Sequence, residues 1–300
     1  ATFHIPAFLE GGRTTENGVH YLNGIPVHTT DFGHDNIFGF STSNLAKWIE
    51  EKSFGKIQAK NILHVKIKQL DMAFNDEDGF ESLLKFLSKL ENNTSVVVDA
   101  KLPHHLETLV NAIKVVSKEK RFLFRTAASF INSLSALPPN PKCTADLVSL
   151  KSKNNEYKYK PGLIIVGSHV KLATDQLKVL LIDNCCKGLE IPVSKLANIF
   201  ALEDRQQAIL EIEYTLLSKI DDILDLEKVP VLYTSREEMK FSSCSERMTF
   251  GLELAEFMSI LVRKITNKLG YIISKGGITT QILLQKGLNF NYVNLKGQIL

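Results

Sequence analysis

Three short stretches in the second half of the chain place small, hydroxylated or basic residues directly after an apolar run. They are Gly167-Ser168-His169 after LIIV, Thr234-Ser235-Arg236 after VPVLY, and Lys275-Gly276-Gly277 after YIIS. Free N–H groups at a helix start attract phosphate, and glycine lets an anion approach the backbone closely. Together the three stretches suit a nucleotide or phosphate site. Each alone also fits a conformational turn, and Arg236 could instead pair with Glu237 or Glu238. In the first half, Asp99 ends the run SVVVD, where a carboxylate could be a general base or hold Mg²⁺, or cap the helix that starts near Pro103. Arg125 stands between an apolar run and the small residues TAAS, a setting that suits a bidentate grip on a carboxylate or phosphate. Arg13, in the loop EGGRTTENG, offers a second guanidinium.

Several other chemistries find no support. The lysine of SKGGITT precedes its glycines, so this is no GxxxxGK[ST] loop, and no GxGxxG follows an apolar run. HExxH, HxxxH and GxSxG are absent, and the adjacent His104 and His105 are not expected to face one metal. His20 and His28 flank a hairpin and are expected to be cross-strand or exposed. No protein-built metal site is predicted. The four cysteines form neither a disulfide framework nor zinc spacing, which points to a reducing compartment, the cytoplasm.

The elements that must carry these residues alternate. VHYLNGIPVHTT is a hairpin around Asn23-Gly24, and STSNLAKWIEEK starts a helix. NILHVKIK alternates like a half-buried strand, and DEDGFESLLKFLSKL is an acid-headed amphipathic helix. TSVVVDA, RFLFRT, GLIIVGS, LEIPV, VPVLYTS and YIISK read as strands with helical stretches between them. Such alternation predicts βαβ units and mainly parallel sheets covered by helices, in two α/β domains with a ligand cleft between them. The Pro-, Lys- and Asn-rich stretch after residue 136 reads as a linker. The expected boundaries are 1–140, a linker at 141–160, and 161–300. A chain of 300 residues with 44% hydrophobic content can bury two cores. No apolar run reaches the roughly 18–20 residues of a membrane span. A net charge of +3, with bases dispersed among acids, gives no nucleic-acid-binding face.

PAFLEGGRTTENGVHYLNGIPV, FRTAASF, LIIVGSHVKLATDQL, LYTSRE and SKGGITT occur in the order and spacing of the four-carbon acid sugar kinase family, which the chain resembles over nearly its whole length. The resemblance implies an N-terminal domain that binds a threonate, erythronate or oxo-tetronate. It implies a C-terminal domain that binds ATP with Mg²⁺, the phosphate going to the acid's terminal hydroxyl. It places Ser168 and the Gly276-Gly277-Ile278-Thr279 loop at ATP, and it places Arg13 and Arg125 near the acid. Lys275 is expected near the phosphates, and Asp99 is the expected base, with the family's Asp-Asp loop a rival for that role. The sequence departs from the family pattern at both ends: it starts after the family's Asp-Asp loop and stops before its Gly-rich segment. Both domains are therefore expected to be incomplete. The alternative expectation is a non-catalytic sugar-acid or nucleotide binding module of the same fold. Self-association or fusion to other metabolic domains is compatible with either.

Overall fold

The structure is a computed structural model that describes the chain except for residues 36–38, 137–142, 169, 237–238 and 298–300. His169 of the predicted GSH turn, and Glu237 and Glu238 as expected partners of Arg236, lie outside the described residues. So does the expected boundary near residue 140. The chain forms two compact units, Ala1–Pro138 and Pro139–Leu300.

In chain order the first unit contains β1 (Thr2–Ile5), β2 (Arg13–Glu16), β3 (Val19–Leu22), β4 (Ile25–Pro26) and α1 (Leu45–Lys52). These are followed by β5 (Leu63–Val65), α2 (Ile67–Asn75), α3 (Glu77–Ser88), β6 (Ser95–Val98), α4 (Pro103–Val116), β7 (Leu123–Thr126) and α5 (Ala128–Ser135). Among the described residues the strands build a parallel sheet of order β5-β6-β1-β7 and an antiparallel sheet β2-β3-β4. Both hairpin turns use Asn-Gly pairs at positive φ, 52° and 73° at Asn17-Gly18 and 50° and 80° at Asn23-Gly24. These are the left-handed conformations that two-residue hairpin turns require.

Side-chain alternation along β1 divides the unit. Phe3 and Ile5 join Val65, Val96, Val98, Leu106, Leu109 and Ile113 in the main core, under the helices that follow each strand. The intervening His4 pairs in register with Val97 and Arg125 and so faces the opposite side. There Val97 packs on Leu45 and Ile49 of α1. The strand predicted over NILHVKIK ends at Val65, and Ile67 opens α2. The apolar spacing Ile67, Leu70, Ala73 is helical, and Leu70 and Ala73 are buried.

The second unit contains α6 (Thr144–Ser149), β8 (Gly162–Val166), α7 (Lys171–Ile182), β9 (Cys186–Ile191), α8 (Val193–Phe200) and α9 (Gln206–Asp225). It continues with β10 (Val229–Thr234), α10 (Cys244–Ile265), β11 (Tyr271–Lys275) and α11 (Gly277–Ile282). The sheet is parallel, in the order β11-β8-β10-β9. One face buries Leu163, Ile165, Leu189, Ile191 and Leu232 under α8, α9 and α10, while the other buries Ile164, Val166 and Val231 against Leu177 of α7. A strand apolar on both faces is therefore a continuous apolar run, as in GLIIV. The segment expected as a linker carries α6 and a Lys153–Tyr159 bridge, and the Ser152 amide donates to the Gly270 carbonyl. Among the described residues no helix is long and apolar enough to cross a membrane.

Candidate functional sites in the two units

Arg13 and Arg125 lie over a hundred residues apart in sequence, yet they line one cavity of about 200 Å³ in the first unit. Three contacts bring them there. The Leu9 amide donates to the Ser129 hydroxyl, and that hydroxyl donates to the Glu10 carboxylate. The Thr126 hydroxyl donates to the Ile5 carbonyl. The GRTT loop is thereby fastened to the RTAAS turn. On the far side of the hairpin, the Thr15 and Ala100 amides and carbonyls exchange hydrogen bonds.

Aromatic rings hold both guanidiniums. Arg125 lies 4.5 Å from the Trp48 ring centroid, and Arg13 lies 5.2 Å from Phe8 and 5.9 Å from Phe32. Among the described residues neither arginine has a carboxylate within ion-pair distance, and the cavity lining contains no acid. Burial pulls Arg13 below its usual pKa, without approaching neutrality at physiological pH. His4 and His20, with Thr42 and Ser43, make up the rest of the polar lining, and the two histidines are only 8% and 6% exposed. Burial first, and the neighbouring Arg125 second, push His4 down to about 4. Burial first, then Arg13, push His20 down to about 4, against a backbone hydrogen bond at Thr14. The cavity thus presents two cations, two neutral imidazoles and the side chains of Thr42 and Ser43.

His20 is buried rather than exposed. Its Nδ1 lies 3.0 Å from the Thr15 hydroxyl, its partner across the β2–β3 ladder. Sequence reasoning gave neither histidine a part in the site. The available signal was a polar residue inside an apolar alternation, HIPAF for His4 and VHYL for His20.

Asp99 does not join the cavity lining. Its carboxylate is 2% exposed and accepts the Asn17 and Gly18 amides, both at 2.9 Å. His64 Nε2 also lies 2.9 Å from it, off hydrogen-bond geometry. A carboxylate holding two amides of a hairpin turn is an anchor, and a part as general base would have to be played from outside the cavity lining. Asp99 is not the cap of α4, because there the His105 Nδ1 accepts the Lys101 and Leu102 amides at 3.1 and 3.3 Å.

His104 and His105 converge after all. Both Nε2 atoms reach Asp71 Oδ1, at 3.1 and 2.9 Å. Among the described residues these three are the one group with metal-ligand spacing. The chemistry fits a metal poorly. Two amide donors on His105 Nδ1 put its proton on Nε2, where it is donated to Asp71 rather than replaced by a metal. The cluster ties α2 to the start of α4.

In the second unit the strand order puts β8 between β11 and β10, so the three predicted stretches are neighbours. The Gly167 amide donates to the Lys275 carbonyl at 3.2 Å. Gly276 has φ +118°, and a Cβ there would lie 3.3 Å from Thr279 Oγ1 and 3.5 Å from the Ser168 amide nitrogen. The loop between β11 and α11 therefore lies directly against the GS turn. Thr280 fixes it, its hydroxyl donating to the Gly276 carbonyl at 2.8 Å. Gly277 faces open space, and Ile278 is 46% exposed. Arg236 NH1 donates to the Ser168 carbonyl at 2.5 Å, while its Nε and other terminal nitrogen are buried without a hydrogen-bond partner among the described residues. Lys275 is hydrogen-bonded to Gln176. Ser168, Gly276, Gly277, Ile278, Thr279 and Lys275 are thus brought to one edge of the sheet, with Arg236 beside them. The described residues at these strand ends offer hydroxyls, amides and cations.

Residues 1–134 match the sugar-binding N-terminal domain family and residues 163–300 the nucleotide-binding C-terminal domain family. No curated protein matches the chain significantly. Among solved structures, that of a candidate tRNA synthase from Salmonella typhimurium LT2 has a TM-score of 0.56 at 16% identity, over 95% of this chain and 61% of that one. A Haemophilus influenzae protein gives a TM-score of 0.49 at 18% identity, over 96% and 63%. A domain of unknown function from Bordetella bronchiseptica, solved with bound citrate as a domain-swapped dimer, gives 0.34 at 16%, over 98% and 60%. The chain spans about three fifths of the length of these relatives. The Salmonella likeness supports the α/β fold. The two domain matches, in this order and covering both candidate sites, show that the chain belongs to the four-carbon acid sugar kinase family.

Proposed function

We propose that the protein containing this chain phosphorylates a four-carbon sugar acid, a threonate, erythronate or 3-oxo-tetronate, at its terminal hydroxyl with ATP. The observation that carries the reading is the first unit's cavity, where two guanidiniums without carboxylate partners face a space of about 200 Å³. Such a space suits a small organic anion. Arg13 and Arg125 would hold the carboxylate, and Trp48 and Phe32 keep them oriented before it arrives. In the second unit the Gly276 and Gly277 amides, Ser168, Ile278, Thr279 and Lys275 would receive the nucleotide's phosphates. ATP would bring Mg²⁺ on those phosphates, since the described strand ends offer no carboxylate cage. Phosphoryl transfer depends chiefly on positioning and charge neutralisation, so it does not demand a base from the cavity lining. The four free cysteines fit a cytoplasmic setting.

The test is an ADP-release assay of the full-length protein with a panel of tetronates. Turnover on one of them supports the proposal, and folded protein without turnover on any refutes it. The commitment of Asp99 to the hairpin favours one second reading, a non-catalytic binding module. That reading expects calorimetric binding of the acid or ATP without ADP release.

A further inference from the structure

His4 is the residue in the cavity that the protein leaves unserved. It is 92% buried, taking its exposure of 8%, and neither ring nitrogen has a hydrogen-bond partner among the described residues. Buried polar groups are otherwise paired, and an unpaired one marks a place where something is missing. The strand register fixes what surrounds it. His4 pairs with Arg125 across the β1–β7 ladder, so the two side chains stand next to one another on the same sheet face. Directly paired residues have Cβ atoms about 5 Å apart. Both line the same cavity, with Arg13 on its other strand and Trp48 beyond Arg125.

The chemistry of the partner follows from what is already supplied. The carboxylate of an acid has two guanidiniums to choose from. A neutral imidazole between a donor and an acceptor state matches a hydroxyl, which can both give and take a proton in a hydrogen bond, better than it matches a second anion. We propose that His4 reads the hydroxyl on the carbon next to the carboxylate, making the cavity selective for 2-hydroxy acids over their 2-deoxy analogues. This rests on the reading that the cavity takes a small acid, and it adds which feature of the acid is recognised and by which residue.

The experiment titrates the chain with threonate, erythronate and 3,4-dihydroxybutanoate, following Trp48 fluorescence and heat. The wild-type chain prefers a 2-hydroxy acid over the 2-deoxy acid by about tenfold or more, the effect of one satisfied buried hydrogen bond. His4→Phe, which keeps a ring and removes both nitrogens, loses most of that preference by weakening the hydroxy acid alone. Its thermal midpoint does not fall, because no protein hydrogen bond is lost. His4→Gln, which keeps a donor and an acceptor, retains part of the preference, and His4→Leu repeats the Phe result should the larger ring disturb folding. A folded His4→Phe or His4→Leu chain with the wild-type preference overturns the role of His4 and leaves the acid-binding reading standing. A wild-type chain that binds none of the acids overturns both.

Discussion

Replacing Asp99 separates an anchor from a catalyst. Its carboxylate accepts two hairpin amides, from Asn17 and Gly18, at 2.9 Å each. In Asp99→Ala both amides lose their acceptor. An unsatisfied buried donor costs about 1–3 kcal/mol, so the first unit should lose about 2–6 kcal/mol. A domain of this size has about 5–15 kcal/mol in hand, so the variant should still fold but with a markedly lower denaturation midpoint. Asp99→Asn keeps one acceptor oxygen and presents an NH₂ to the other amide, and should fall between. The chain's single tryptophan, Trp48, lies in α1 of the first unit, so its fluorescence in urea follows that unit alone. The hairpin anchored by Asp99 carries Arg13 and His20, so both variants should also bind the acid more weakly. Saturating acid should recover the rate, because the chemical step is untouched. A catalytic base would behave in the opposite way: Asp99→Asn would keep the wild-type urea midpoint and the affinity for acid while kcat collapsed by about 10²-fold or more. That result would refute the anchor argument.

Acid should weaken the first unit through its two buried cavity histidines. His4 and His20 stay neutral in the folded state down to about 4, whereas the unfolded chain protonates them near 6.5. The unfolded state then binds more protons, so stability is full above pH 6.5 and falls as pH drops towards 4, by up to about 1.4 kcal/mol per pH unit for each histidine. A Trp48 urea midpoint that is flat across that window would contradict it. Gly276→Asp should abolish ATP binding by calorimetry, because it adds an anion and a Cβ where φ is +118°. Gly276→Ala, with the strain alone, should weaken it less, and unchanged affinity in both would remove the loop from the site. Trp48→Leu removes the ring beneath Arg125 and should weaken acid binding by about threefold to thirtyfold, the range of one cation–π contact of about 0.5–2 kcal/mol. Equal affinity by calorimetry would show that Arg125 needs no ring to orient it.

The fold was legible because its strands announce themselves. GLIIV and VPVLY are continuous apolar runs because their sheet is buried on both faces. NILHVKIK misled because three strand residues run into a helix after one intervening lysine, too short a window for two periods to be told apart. The meeting of the residues proposed for the nucleotide was legible for a related reason: parallel strands aim their carboxyl ends at one edge, so residues after three neighbouring strands must meet there. The anchoring part of Asp99 was not legible because its partners, two backbone amides of a hairpin 81 and 82 residues away, leave no mark on side-chain identity.

The histidines show what pattern reading does not reach. Their spacing predicted no metal site, and the hairpin suggested a cross-strand or exposed place for His20 and His28. What decides each is the environment that the fold builds around it. His105 has two amides on one nitrogen and Asp71 on the other, so its hydrogen-bonding capacity is spent on holding α4 to α2. His4 has the same chemistry but no such partners. On β1 the alternation that sends Phe3 and Ile5 into the core sends His4 to the other face, beside Arg125. An apolar residue at position 4 would serve packing better, since a buried imidazole without partners costs stability. A binding site is where such a residue gains something that offsets the loss, and the unpaired guanidiniums beside it are a second, independent case of the same imbalance. One occupant, an acid bearing a hydroxyl, would remove both imbalances at once.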